Sequence, residues 1–231
     1  MTDKKYKISN GQTKISLVGC GGTGSILAHH LVRLDLAMRA LGHTGLEIRL
    51  FDPDVVTEAN IGRQLFSEGE VGGNKAEMLA YKLRRNYLVD LSGVPKSYES
   101  SHWYKNEDVL IVCVDTKASR KDIRRESSGG HASRKIVIDC GNTDNTGQVL
   151  MNHPDSAVDI YEAWDQLIKG EDSNEPSCSL AEALGRQELF INTHVATACS
   201  QMLWGMLRHG GINYRGVFMN FKDTQEVRVW T

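Results

Sequence analysis

The sequence predicts an α/β fold: a Rossmann-like, mostly parallel sheet with helices on both faces and a C-terminal antiparallel hairpin extension. Three observations carry this. KISLVG (14–19) is a short β-rich run that breaks into glycines and passes into a stretch of helical periodicity. LEIRLFD (46–52) follows as a second strand, which completes a βαβ unit. DVLIVCVD (108–115) is almost continuously apolar, as expected for a strand buried on both faces of a parallel sheet.

The remaining elements follow in order. The first helix carries apolar residues at 26, 27, 31, 34, 38 and 41, and Gly42 and Gly45 end it. Asp35 falls mid-helix and reads as solvated. NKAEMLAYKLRRNY (74–87) is a second helix, and a weakly defined segment separates it from 108–115. KIVIDCG (135–141) and GQVLM (147–151) are further strands. Residues 152–177 are polar, turn acidic toward their end and hold two of the four prolines, a long loop of the functional or mobile kind. Leu180, Leu184, Ile191, Val195, Ala198, Met202 and Met206 then mark one long helical face. YRGVFMNF and EVRVW flank KDTQ as a closing hairpin. Residues 1–231 therefore read as one domain, with a nucleotide-binding core at 14–151, a crossover loop at 152–177 and a C-terminal helix and hairpin at 178–231.

Composition excludes several classes. A net charge of −2 argues against a protein built to grip nucleic acid. No run approaches the roughly 18 apolar residues of a membrane span, and residues 1–14 lack the apolar stretch of a signal peptide. The five cysteines (20, 113, 140, 178, 199) are odd in number and never form C-x-x-C pairs. That suggests neither a disulfide framework nor a zinc knuckle, and a reduced cytoplasmic protein is expected.

Gly19, Gly21 and Gly24 form G-x-G-x-x-G between strand and helix, where a phosphate cradle belongs. The same pattern also occurs in ordinary turns. A dinucleotide site wants an acidic residue about 20 positions further on, and Asp52, the first at a strand end, comes later than that. GEVGGNKA has a lysine near glycines but lacks the G-K-[ST] of a kinase-type loop. FDPDVVTEANIGRQLF adds Asn60, Arg63 and Gln64, GGNKAEML adds Lys75 at a helix start, and VCVDTKASR adds Asp115 at a strand's carboxyl end. Ligands of open α/β sheets bind at that edge, so these residues can converge above Gly19–Gly24.

Strand-GxGGxGS, strand-DxD, N-x-x-R-Q, G-x-x-K-A and the strand-ending Asp, in this order, resemble the ThiF/MoeB superfamily, which includes ubiquitin-activating enzymes. The resemblance covers residues 14 to about 150 and continues through PSCSLAEALGRQELFIN. That block looks most like the ThiF-like proteins of PRTRC gene sets. The resemblance implies an ATP-dependent adenylyltransferase: the C-terminal carboxylate of a ubiquitin-like or sulfur-carrier protein attacks the α-phosphorus of ATP, giving an acyl-adenylate and pyrophosphate. By the same resemblance, backbone N–H groups at Gly19, Gly21, Gly22 and Gly24 cradle phosphate, and Asp52 receives the ribose hydroxyls. Arg63 and Lys75 hold the phosphates, Asp115 places Mg²⁺, and Asn60 and Gln64 orient these groups. A homodimer is also implied.

Each role has a plainer alternative. Asp115 can be a helix N-cap, Arg63 a surface ion pair and Lys75 a solvated helix residue, while Asp54 shapes its turn. Cys178, just after Pro176, is either a catalytic thiol activated by a helix N-terminus or incidental. Cys20, Cys113, Cys140 and Cys199 read as packing residues. The basic run at 117–135 is either a docking face for an acidic partner or a solvated helix. His29, His30 and His194 lack ligand spacing. The C-x-x-C pairs of many relatives are missing, so no zinc is expected. Relatives often lend an N-terminal arginine to a neighbour's ATP site; here no arginine precedes Arg33, so either that role is filled otherwise, as by Lys4, Lys5 or Lys7, or the site is weaker. The rival functions are a small-molecule or tRNA-directed adenylating relative, a nicotinamide oxidoreductase and a silent scaffold.

Overall fold

The structure is a computed structural model that describes residues 6–8, 11–98, 106–127, 135–156, 158–170, 188–222 and 225–230. Its strands are β1 (Thr13–Val18), β2 (Leu46–Phe51), β3 (Asp90–Val94), β4 (Val109–Val112), β5 (Ile136–Asn142), β6 (Thr146–Asn152), β7 (Tyr214–Asn220) and β8 (Gln225–Trp230). They form one eight-stranded sheet in the order β3-β2-β1-β4-β5-β6-β7-β8. The run β3 to β5 is parallel, and β6, β7 and β8 add antiparallel strands. From β1 the chain builds outward to β2 and β3, then returns to place β4 on the other side. The crevice at that reversal is where an open α/β sheet receives ligands.

The helices are α1 (Gly22–Ala40), α2 (Lys75–Asn86), α3 (Lys117–Ser127), α4 (Ile160–Ala163) and α5 (Ile191–Arg208). Strand alternation sorts them onto two faces. Ile15, Leu17, Val109 and Ile111 point into the large core with Leu27 and Leu31 of α1, Leu79 of α2 and Val195 and Met202 of α5. Val18, Leu110 and Val112 point the other way, onto Ile123 of α3, with Phe51 and Tyr98. Helices therefore do lie on both faces, as expected. The α1–α5 pair lies against the sheet as a unit, since both helices bury residues at helical spacing along facing sides.

The structure adds three things to the sequence reading. The weakly defined segment contains β3, an edge strand with a single fully buried residue, Leu91, so it carried almost no apolar signal. The proposed loop at 152–177 is partly ordered: α4 and the turn Asp165–Leu167 bury Ile160, Tyr161 and Leu167 against Leu150. Arg215 of β7 donates to Met151 O and Val158 O and fastens this segment to the sheet. The helical face expected from 180 is seen in α5 from Ile191, and 171–187 lie outside the described residues.

Asp35 corrects an expectation. It is fully buried, because its Oδ1 accepts the Leu46 N–H at 2.7 Å while Arg39, one turn on, pairs with it at 3.0 Å. The carboxylate thus satisfies the first donor of β2 across the α1–β2 turn, where Gly45 at φ +86° leaves no room for a side chain against it. Removing it leaves a buried N–H unpaired and Arg39 without its carboxylate, with only Leu88 O and solvent as partners. We expect Asp35→Ala to lower unfolding stability by about 2–4 kcal/mol, measured by urea denaturation.

Candidate active site

The turn after β1 is shaped by close approach. Gly19 sits at φ +91°, and a Cβ there would lie 2.6 Å from Cys113 O. A Cβ on Gly24 would lie 1.8 Å from Gly19 O, so α1 can start against the strand only with glycine at 24. Gly21 differs. It is the N-cap of α1, and the nearest atom to a Cβ there would be Gln64 Nε2, at 3.8 Å. The fold itself does not require glycine at 21, and the backbone faces open space there. α1 has no side-chain cap and no acidic residue in its first turn, which leaves its first N–H groups and its positive dipole end to an anion.

Asp52, one residue past β2, fixes the turn. Its Oδ2 accepts the Cys20 N–H at 2.6 Å and its Oδ1 the Asp54 N–H at 2.9 Å. It is nearly buried, and burial pushes its carboxyl above the usual carboxylate range despite those two donors and nearby Lys75. Each oxygen retains a second lone pair for a ligand hydroxyl. Asn74, the N-cap of α2, donates to both Asp52 O and Asp54 O, so the end of β2 and the start of α2 are locked together. That places Lys75 nine-tenths buried with its amine 3.0 Å from Asp54 Oδ2. Lys75 is therefore not a solvated helix residue, and Asp54 does shape its turn.

The segment carrying Arg63 and Gln64 is pinned to the same place. Ser25 Oγ in the first turn of α1 accepts the Leu65 N–H at 3.1 Å. Asn60 holds the segment from within: its Oδ1 accepts the Thr57 N–H and its carbonyl the Gln64 N–H. Gln64 is buried, and its Oε1 has no hydrogen-bond partner among the described residues. The same holds for Arg63 Nε, and no ion pair to Arg63 occurs among them. Two adjacent residues thus hold unsatisfied buried polar atoms, and the carboxamide of one of them, Gln64, lies beside the glycine N-cap. Native structures rarely leave such groups unpaired.

Asp115 lies beyond β4, exposed, three residues past the strand's last residue, Val112. Thr116, directly before α3, caps that helix, its Oγ1 accepting the Ser119 N–H. The Asp115 carboxylate sits at the carboxyl end of β4, whose Cys113 touches Gly19.

Residues 2–229 match the ThiF family. The chain belongs to the ThiF family. Solved structures of similar fold include PaaA, 15% identical, with a TM-score of 0.66 over 95% of this chain and 64% of that one. Escherichia coli MccB solved with ATP is 19% identical, with a TM-score of 0.64 over 94% and 63%. The microcin C7 biosynthetic enzyme MccB in complex with N-formylated MccA is 19% identical, with a TM-score of 0.63 over 94% and 64%. This ThiF-family chain spans a little under two thirds of each of those proteins. No curated protein matches its sequence.

Other expectations resolve on the same coordinates. Cys178 lies outside the described residues. Burial raises the Cys20 thiol, and a hydrogen bond to Cys140, then burial, raises Cys113, so both are protonated packing groups. The basic run is largely paired within the chain: Arg120 with Asp139, Arg124 with Asp159 and Glu162, Arg125 with Asp122. His29, His30 and His194 bond Ser25 O, Ser200 Oγ and Phe190 O. Of the three N-terminal lysines only Lys7 is described. It follows Tyr6, which bridges to Ile212 beyond the far end of α5, about 25 Å of helix away from the glycine turn. Lys7 therefore cannot serve the site of its own chain. The sequence reading missed Ser25, Asn74 and Asn192 as site-builders. Asn74 had a signal, an Asn directly before a helix.

The glycines separate structure from ligand. We expect Gly24→Ala to destabilise the fold by at least about 3 kcal/mol, since backbone must move. Gly21→Ala should leave the melting temperature within a few degrees of wild type and weaken nucleotide binding at least about tenfold. Thermal melts and calorimetric titration of ATP check both.

Proposed function

We propose that the protein is an ATP-dependent adenylyltransferase that activates the C-terminal carboxylate of a small ubiquitin-like or sulfur-carrier protein. The observation that carries the reading is the uncapped helix start at Gly21 with the Gln64 carboxamide beside it, next in sequence to Arg63, whose buried Nε has no partner among the described residues. Leaving a buried group unpaired costs about 1–3 kcal/mol; an anion supplies the acceptor that Arg63 Nε lacks, and Gln64 Oε1 lacks a donor, which a nucleotide hydroxyl or amino group supplies. A triphosphate suits the residues present: an uncapped helix N-terminus, a guanidinium at 63, an amine at 75, and the buried Asp52 carboxylate bonded to the turn itself.

The chemistry asks little of acid–base groups. A chain-terminal carboxylate has a pKa of roughly 3.5 and arrives ionised. What it needs is relief from phosphate charge and in-line placement. Lys75 and Arg63 serve the first. Lys75, now paired with exposed Asp54, can exchange that carboxylate for phosphate at little cost, because exposed partners contribute about 0–1 kcal/mol. As pyrophosphate leaves, the same two cations take up its growing charge. Asp52 orients the nucleotide by accepting hydroxyl hydrogens while it keeps Cys20 N–H in place.

No group of three or more metal-ligating side chains occurs among the described residues. A Mg²⁺ held by Asp115 and the nucleotide's own phosphates needs no such cage, and would neutralise phosphate charge there. The folds of MccB with ATP and MccB with MccA are similar to this one, which supports a nucleotide and a protein substrate on this scaffold. Both the substrate class and a homodimeric working unit follow from family resemblance. No helix among the described residues is long and apolar enough to cross a membrane, consistent with a cytoplasmic reaction.

ATP–pyrophosphate exchange tests the reading, with Mg²⁺ and a small ubiquitin-like protein ending in Gly-Gly as probe. We expect probe-dependent exchange that Asp115→Ala lowers at least about 100-fold. Exchange unchanged in that variant contradicts the assignment of Asp115, and tight NADH binding in place of ATP contradicts the whole reading.

A further inference from the structure

The phosphate turn is held on its remaining side by a residue from the opposite end of the chain. Asn192 lies in the first turn of α5, almost fully buried. Its carboxamide packs flat against Gly22: a Cβ there would lie 2.7 Å from Nδ2, 2.8 Å from Cγ and 2.9 Å from Oδ1. Thr23 Oγ1 donates to Asn192 Oδ1 at 2.9 Å, with Asn142 Oδ1 at 3.4 Å from the same hydroxyl. Thr23 is itself buried. Its hydroxyl, in the first turn of α1, is therefore committed to a cross-helix bond.

Two consequences follow from the geometry. Gly22 is glycine because Asn192 occupies the volume of its side chain, a reason distinct from those at Gly19, Gly21 and Gly24. And the N-termini of α1 and α5 are brought together at the glycine turn by this polar contact, while farther along the two helices meet through apolar side chains and the His30–Ser200 hydrogen bond.

We propose that Asn192 is a positioning residue for the phosphate turn: through Thr23 and Gly22 it fixes the backbone that receives the nucleotide, and so couples the start of α5 to that site. The contact stands whatever the ligand. Its effect on ATP rests on the adenylation reading.

The test uses the full chain and two readouts. Amide hydrogen exchange on the nucleotide-free protein should show Gly21–Ser25 exchanging about tenfold faster in Asn192→Ala and in Thr23→Val, while mid-helix amides of α5 stay protected. Asn192→Asp keeps the acceptor oxygen and should restore protection of the turn. ATP affinity measured by calorimetry should weaken about tenfold in Asn192→Ala and in Thr23→Val, and the double variant should be no worse than either single one, because both break the same contact. Unchanged exchange at Gly21–Ser25 in either variant overturns the proposal. So does a loss of protection spread over all of α5, which would mark Asn192 as a general packing residue. If wild type binds no ATP but the turn responds as described, the adenylation reading fails and the positioning role stands.

Discussion

Everything at the carboxyl edge of the sheet depends on how closely the turn after β1 approaches the ends of its two neighbours. Gly19 N–H donates to Phe51 O at 2.9 Å on one side, and Cys113 N–H donates to Val18 O at 2.7 Å on the other. Between them no side chain fits at 19, and none at 24 where α1 turns back over the strand. The carboxylate of Asp52 then closes the turn by taking the Cys20 N–H. Backbone is thus exposed at Gly21 because the residues around it are held from three strands. The pre-organised N–H groups come at no cost when a ligand arrives.

Once that turn is set, each charged residue is delivered by a separate local device. Ser25 hooks the Arg63–Gln64 segment, Asn74 ties the start of α2 to the end of β2, and Thr116 starts α3 so that Asp115 is left outside the helix. Asn192 brings in the C-terminal half. The candidate site is therefore drawn from pieces distant in sequence but each adjacent to a strand end, the edge at which open α/β sheets receive ligands.

Much of this was legible before any coordinates. The glycine spacing, the strand-ending Asp52 and Asp115, and the order of Arg63 and Lys75 are local patterns, and strand ends can be read from apolar runs. What escaped was whatever depended on a partner far away in sequence. Asp35 reads as solvated until β2 returns to present the Leu46 N–H. β3 has one buried residue and no periodicity to detect. Asn60 was expected to orient ligand groups, and nothing in its sequence neighbourhood showed that its Oδ1 also holds its own turn. Asn192 lies in a helix whose apolar face was recognised, but nothing nearby shows that its carboxamide meets Gly22. A polar residue breaking an apolar helix start was the only trace.

The central claim is that the unsatisfied Arg63 Nε, Lys75 and the open N-cap at Gly21 hold a triphosphate, with Gln64 Oε1 accepting from a donor of the nucleotide. A crystal structure of the protein with a non-hydrolysable ATP analogue and Mg²⁺ tests this most directly. The account predicts phosphate oxygens on the amides around Gly21, Lys75 and Arg63 turned onto them, and Asp115 facing the metal. A nucleotide bound elsewhere, or those side chains unmoved beside it, would contradict the account.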